Sequence, residues 1–397
     1  MTRNRRLFSL ALLVMWAGAV AYLTLTPGGY GRTTSLRGFL CFACGELDGS
    51  DIIRNWILFV PGGLLATHLL GPRRAVALGL CFTAFIEVAQ LGLPGRDSAL
   101  QDLVFNALGA VTGAALMHRG LARWSRQLLM AAAAVAWLAP LPLLVPKATP
   151  FDLYGQWTPR FGRTARYQGR IVDASIDGLH IESRRFREKA ALDEAITGRA
   201  PLRLVLRVGP PPSSLAPIFQ IADARQQFVM EVGALGPDLI LRGHNPARIL
   251  KLDQPDARWA GAMLGVAVGD TVPVVIDRGR GSVCMSVGER EQCNLAPSLA
   301  DGWGHILYLE GPPAWFRALM SLMWAAGLGG LIGLASDRWR SAVGVGLAVA
   351  LAGYVGANLS PDVRPEALHA AVLFVGTLAG AGIRSPVVRV WRASRPS

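Results

Sequence analysis

Residues 7–25 read LFSLALLVMWAGAVAYLTL, a run with no charged side chain. A bilayer core about 30 Å thick needs about 20 apolar residues of helix to cross it, and this run is long enough. Seven further stretches qualify: Ile52–Leu70, Ala75–Leu93, Leu103–Met117, Leu128–Val145, Leu319–Ala335, Val343–Val355 and Ala367–Ile383. The fourth and seventh of the eight runs are shorter and need flanking residues to span. Between the fifth and sixth lies a polar segment, Lys147 to Glu310, with no comparable run. The pattern predicts an α-helical polytopic membrane protein of about eight transmembrane helices with one soluble insertion. Three domains follow: residues 1–146 with five helices, 147–311 as the insertion, and 312–397 with three helices and a basic tail.

Composition agrees. Of the 397 residues, 52% are hydrophobic and only 17% charged, against about 25% charged in a soluble domain. Disorder is excluded, and the composition argues against a wholly soluble enzyme. The formal net charge is +13, and its distribution excludes a nucleic-acid surface, which needs the charge on one folded face. With the N-terminus inside, the cytoplasmic flanks hold fourteen arginines, from Arg3 to Arg395, against one acid, Asp337. That difference equals the whole net charge. The short outward loops hold Arg32, Arg37, Arg96 and Arg364 against seven acids, and the insertion has 20 basic to 18 acidic residues. This is the positive-inside bias. It places both termini in the cytoplasm and residues 147–311 outside. Residues 1–26 also carry signal-peptide features, a basic n-region and Ala19-Val20-Ala21. The run continues to Leu25, so an uncleaved helix is expected.

The insertion reads as β. Leu202–Val208, Gln227–Val232, Asp238–Arg242, Val272–Asp277, Gly281–Val287 and His305–Glu310 are short and rich in β-branched and other apolar residues, and several alternate apolar with polar. Gly, Pro and Asp turns separate them, which predicts an antiparallel β-sandwich. Cys284 and Cys293 flank Gly288-Glu289 symmetrically. In a hairpin centred there they face each other, and outside the membrane they are expected to form a disulfide. Cys41 and Cys44 lack a strand-then-helix setting and a second ligand pair. A local disulfide or idle thiols is expected of them. The six histidines are scattered with no metal-binding spacing, so no metal or cofactor is expected. Trp157, Trp259 and Trp303 are expected in the sandwich core. Trp124, Trp315, Trp339 and Trp391 fit interfacial anchors.

The polar residues of the first half cluster toward the outer side. Asp51, Arg54 and Asn55 begin the second span, followed by Pro61 and Gly63. Glu87 and Gln90, three apart, share a helix face. Asp102 and Asn106 open the fourth span, and Gly109 and Gly113 form a GxxxG that lets helices approach closely. A carboxylate at mid-membrane costs about 2.5–3.5 kcal/mol, so Glu87 is expected to face the bundle or a water-filled pocket, with Arg54 or Arg96 as partner. The cluster reads either as a structural knot or as a site for a lipid headgroup or glycan.

Taken together, Asn55-x-x-x-Phe59-x-Pro61-x-Gly63, Glu87-x-x-Gln90, Gly95-Arg96 and Asp102-x-x-x-Asn106-x-x-Gly109-x-x-x-Gly113 resemble the motifs of the VanZ-like membrane proteins. Thr26-Pro27 also fits, and the resemblance covers about residues 8–118. The family is named for an accessory protein of glycopeptide resistance, linked to teicoplanin. The insertion resembles concanavalin A-like or laminin-G-like jelly rolls through Pro201–Leu206, Ile218–Ala222, Leu239–Arg242 and Val272–Cys293. Such domains often bind carbohydrate.

The resemblance implies a bacterial inner-membrane envelope protein, non-enzymatic, whose outward domain binds a glycan, glycopeptide or lipid-linked saccharide. The alternatives are a membrane enzyme acting on an envelope glycolipid and a structural scaffold. In the enzyme, Glu87 and Asp102 are acid and base, and Arg54 or Arg96 holds a phosphate.

Overall fold

The computed structural model describes residues 3–26, 39–40, 42, 47–94, 96, 98–119, 123–145, 152–158, 165–181, 185–224, 228–278, 282–307, 312–360 and 362–393. Cys41, Cys44, Pro27, Gly95, Asp97 and Tyr308–Glu310 lie outside these, as do the side chains of Trp124 and Trp391.

Every apolar run of the sequence is helical. The helices are α1 (Arg3–Leu25), α2 (Asp48–Leu70), α3 (Pro72–Gln90), α4 (Leu100–Arg119), α5 (Arg123–Leu138) and the short α6 (Pro140–Leu144). The insertion holds α7 (Lys189–Thr197) and the short α8 (Pro246–Ile249), and after it come α9 (Ala314–Ala335), α10 (Trp339–Leu359) and α11 (Ala367–Ala393). Among the described residues, six segments are long and apolar enough to cross a membrane: Arg6–Leu25, Asp48–Leu70, Leu100–Met117, Ser125–Leu144, Ala314–Ala335 and Trp339–Leu359. Ala367–Ile383 is apolar but shorter, and α3 carries Arg73, Arg74 and Glu87 among its 19 residues. Many apolar side chains of these helices are exposed, among them Phe8, Tyr22, Phe85, Val88 and Trp315, as lipid contact requires.

The chain divides into two compact units. The first holds residues up to Met130, the segment Leu250–Asp253 and the residues from Ile383. In it, Trp16 and Phe82 pack around the buried Phe59. Pro61 lies inside α2 and leaves the carbonyl of Ile57 without its helical donor. One residue on, the indole Nε1 of Trp16 donates to the carbonyl of Leu58 at 2.9 Å.

The second unit contains the insertion and most of the C-terminal helices. The insertion is a sandwich of two six-stranded antiparallel sheets. One runs β4 (Arg185–Phe186), β1 (Leu153–Trp157), β6 (Ala216–Asp223), β7 (Phe228–Leu235), β8 (Asp238–Gly243), β9 (Ala257–Trp259). The other runs β12 (Arg290–Gln292), β11 (Cys284–Val287), β10 (Thr271–Asp277), β5 (Leu202–Arg207), β2 (Arg170–Ile176), β3 (Leu179–His180). Leu204, Leu206, Phe219, Ile221, Met230, Val232, Val274 and Ile276 meet in the core, joined by Leu192 and Ile196 of helix α7 (Lys189–Thr197). The sheets differ in burial. β6, β7 and β8 are buried on nearly every residue, whereas β5 and β2 alternate and keep one face in solvent. A two-residue turn at Gly236-Pro237 joins β7 to β8, and the positive φ of Gly236 suits it.

Two expectations are corrected. Residues 305–307 are not strand: Leu299–His305 forms a 3₁₀ helix, and Ile306 and Leu307 after it belong to no strand. The physical reason is a reciprocal cap at its start. The carboxylate of Asp301 accepts from both the backbone N–H and the hydroxyl of Ser298, at 2.7 and 2.9 Å, which winds the following residues into helical turns. Trp303 is buried by this helix and donates to Ser321 Oγ of α9 at 3.2 Å. It does not share the sandwich core, in which Trp259 and, partly buried, Trp157 do sit.

Candidate functional site

The polar residues singled out in the first unit converge on the ends of four helices. Helix termini leave backbone donors and acceptors without intrahelical partners, and here side chains from neighbouring helices supply them. At the C-terminus of α1, Arg96 Nη2 donates to Leu23 O at 2.7 Å and its Nε to Thr26 O at 2.6 Å. Gln90 Nε2 donates to Thr24 O at 2.9 Å. A cation at a helix C-terminus also suits the helix dipole.

At the N-terminus of α4 the signs reverse. Glu87 is 3% exposed. Its Oε2 accepts from Ser98 Oγ at 2.9 Å and from the backbone N–H of Ala99 at 3.1 Å. The Ser98 hydroxyl also lies 2.8 Å from the Glu87 carbonyl. Expectation paired Glu87 with Arg54 or Arg96; neither does so. Arg54 pairs with Asp51 one turn away on α2, and Arg96 is drawn to the α1 carbonyls. A serine and a backbone amide reach the buried carboxylate because the α3–α4 connection folds directly over it.

The second carboxylate sits in the first turn of α4. Asp102 Oδ1 accepts from Asn55 Nδ2 of α2 at 2.5 Å. Glu87, Asp51 and Arg54 lie within electrostatic range of it, so both acids belong to one polar cluster. Deeper in the bundle, Asn106 Nδ2 donates to Thr83 Oγ1 at 3.0 Å, both residues buried. Among the described residues, Asn106 Oδ1 has no partner. Gly109 lies against the Trp56 carbonyl, Gly113 against those of Val60 and Gly63, and Gly63 against that of Ala110, so closely that a methyl group would collide with backbone. These contacts let α2 and α4 touch along their length.

The N-terminal end of α2 is also engaged. Lys251 Nζ pairs with Asp48 Oδ2 at 3.0 Å, Asp253 N donates to Ser50 Oγ at 2.7 Å, and Ser50 N donates to Lys251 O at 3.2 Å. Gln101 Nε2 donates to the Asp48 carbonyl at 3.3 Å. None of Thr24, Thr83, Ser98 or Lys251 was marked by sequence reasoning. Ser98 was findable: Ser98-x-x-Gln101 just before an apolar run is a capping-box signature. Lys251 and Asp253 carry no local signal, because their contacts cross about 200 residues of chain.

In the second unit, Cys284 and Cys293 are joined by a disulfide closing the β11–β12 hairpin. Glu291 lies beside them, but the sulfurs are used by that bond. His369, expected to be ordinary, has its Nδ1 3.2 Å from Ser298 Oγ and pairs with Glu366. That hydrogen bond, with help from Arg364, holds the Glu366 carboxyl below its ordinary range. In the sheet buried on both faces, Gln220, Glu231 and Arg242 stand opposite one another in register. Arg242 makes a two-pronged pair with Asp256 at 2.9 and 2.8 Å. Burial pushes the Glu231 carboxyl up, with Arg242 opposing.

Apolar helices, a polar cluster at their ends and two stacked antiparallel sheets define a multi-pass helical membrane protein with an inserted β-sandwich. Residues 10–123 match the family model described as VanZ/LLP1, so the chain carries a VanZ-like domain there. No curated protein and no solved structure matches the chain.

Proposed function

We propose that this is a non-enzymatic accessory protein of the bacterial inner membrane and cell envelope. Its VanZ-like bundle serves as a membrane platform, and its sandwich, held outside the cytoplasm, binds a glycan, a glycopeptide or a lipid-linked saccharide. The observation that carries the non-enzymatic reading is the engagement of Glu87. Its carboxylate is buried and its Oε2 is taken up by Ser98 and Ala99, which supports a structural role for it at the start of α4. The positive-inside charge pattern supports the outward placement of the sandwich. The VanZ-like domain supports a link to glycopeptide resistance or to assembly of exported polysaccharide.

The full-length protein, reconstituted in nanodiscs, tests this in a binding screen against envelope glycans, peptidoglycan fragments and teicoplanin. Saturable binding to one ligand class is expected. Binding to none of them removes the reading and favours a scaffold.

A second reading has one observation in its favour: Glu87 and Asp102 share an electrostatic cluster that includes Arg54. That is the composition of an acid–base site with an anion holder, acting on an envelope glycolipid. Glu87→Gln separates the two readings. As a structural residue it lowers thermal stability while any cellular function persists in proportion to folded protein. As a catalytic acid or base it abolishes function at unchanged folded yield.

A further inference from the structure

We infer that residues 362–366, between α10 and α11, are an acid-released strap: with Glu366 ionised they hold the segment that leaves the sandwich, residues 294–298, to the C-terminal helices, and protonation of Glu366 releases it. The inference does not depend on which ligand the sandwich takes. It gives the last three helices a part beyond spanning the membrane.

The strap grips the chain just after β12. Arg364 N donates to the Pro297 carbonyl at 2.9 Å, and Arg364 Nη1 donates to the Asn294 carbonyl at 2.8 Å. Arg364 and Ser298 thereby form an isolated parallel bridge. Val363 beside it is buried. Asp362 pairs at 2.5 Å with Arg278, which follows β10, and Arg278 Nη1 donates to Ile196 O of α7 at 2.7 Å. From the first turn of α11, His369 Nδ1 reaches Ser298 Oγ. The Ser298 hydroxyl gives its own proton to Asp301, so it turns a lone pair toward His369.

One carboxylate joins these pieces. Glu366 Oε1 accepts from Arg364 Nη2 at 2.8 Å, and its Oε2 meets His369 Nδ1. With acceptors on both sides, Nδ1 carries a proton. Arg364, His369 and, from α10, Tyr354 line one small cavity with Glu366; α5 presents Trp137 there, which does not titrate. From the 3₁₀ helix, Asp301 stands behind Ser298 and is taken up by it and by Ser321. Asp362 and Arg278 satisfy each other. Protonating Glu366 thus removes the anion between Arg364 and His369, and losing one partner of such a cluster is strongly destabilising. About a third of the Glu366 side chain, 32%, meets solvent, so protons reach it. The hydrogen bond from His369, against an opposing effect of burial and with the help of Arg364, holds its carboxyl below the ordinary range. The strap is therefore closed above about pH 4.5 and opens as pH falls through the folded value.

The test is hydrogen exchange by mass spectrometry on full-length protein in nanodiscs, read as protection factors at pH 7 and at about pH 3.5, below the ordinary range of a glutamate. In the wild type, protection of residues 362–366 and of the 3₁₀ helix is expected to fall at least tenfold in acid, reversibly, while β6 and β7 keep theirs. Glu366→Gln is expected to show the low protection already at pH 7, with no further loss in acid. Wild-type protection that is the same at both pH values overturns the inference. A Glu366→Gln protein as protected as the wild type at pH 7 does so too. So does one that loses protection in acid as the wild type does, because another carboxylate, Asp301 or Asp362, then governs the loss. If Glu366→Gln does not fold, seen as exchange throughout β6 and β7, His369→Leu takes its place. It removes the group that most lowers the carboxyl, so the pH of half-release should rise; an unchanged value overturns the inference.

Discussion

Glu87 is a carboxylate buried in an apolar helix bundle, and two donors make it tolerable. Removing one partner of a buried hydrogen-bonded charge leaves the other under-solvated, at about 1–3 kcal/mol or more. Ser98→Ala should therefore destabilise the bundle by about 1–3 kcal/mol, seen as a lower melting temperature in detergent. Ser98→Thr, which keeps the hydroxyl, should recover most of the loss. Two acids of the second unit give opposite pH signatures. Burial raises Glu231. Its contribution to stability is then greatest below about pH 4.5, where both states are protonated, and is lost as pH rises through the folded value. Glu366 is lowered by its hydrogen bond to His369. Its contribution is present above about pH 4.5 and lost as pH falls through the folded value. Melting curves of Glu231→Gln and Glu366→Gln across pH 3–8 check both signs. Glu231→Gln should gain stability relative to wild type as pH rises, and Glu366→Gln should lose it.

Elements are held at their ends and at their closest contacts. The polar residues of the VanZ-like motif cap helices and tie them together: Arg96 and Gln90 close α1, Glu87 opens α4, and Asn55 joins α2 to α4. GxxxG does the packing. Replacing Gly113 by Leu forces a side chain against the carbonyls of Val60 and Gly63, which cannot yield without moving α2. A loss of about 1–3 kcal/mol or more is expected, measured as reduced folded yield and melting temperature. Gly344→Leu on α10, where a Cβ meets nothing, is the control and should be silent. In the sandwich, the disulfide closes a short loop, worth about 2–3 kcal/mol by chain entropy. Cys293→Ser should speed hydrogen exchange in β11 and β12 while leaving β6 and β7 protected. Uniform protection after the change would contradict this.

For the whole molecule, the arginine bias predicts an orientation that labelling can test. With the native cysteines replaced, a single reporter Asp177→Cys in the exposed β2–β3 turn should react with a membrane-impermeant maleimide added outside intact spheroplasts. One at Asp337 should react only after permeabilisation. The reverse pattern would invert the topology and with it the access of any envelope glycan to the sandwich.

The sequence by itself determined the helices, the inserted β region and the cluster of motif residues. Apolar length and period-two alternation are local properties, and each is dictated by the solvent or core that a segment must meet. Alternation in Leu202–Arg207 was legible because one face of its sheet meets water. In β6 and β7 no alternation marks the core face, because both faces are buried. Tertiary structure alone decided the partners. Glu87 chose Ser98 over an arginine, Lys251 found Asp48 across about 200 residues, and residues 299–305 wound into a 3₁₀ helix under the Ser298–Asp301 cap. Hydrogen bonds form between groups that folding brings within about 3 Å, and no pattern of spacing along the chain carries that distance.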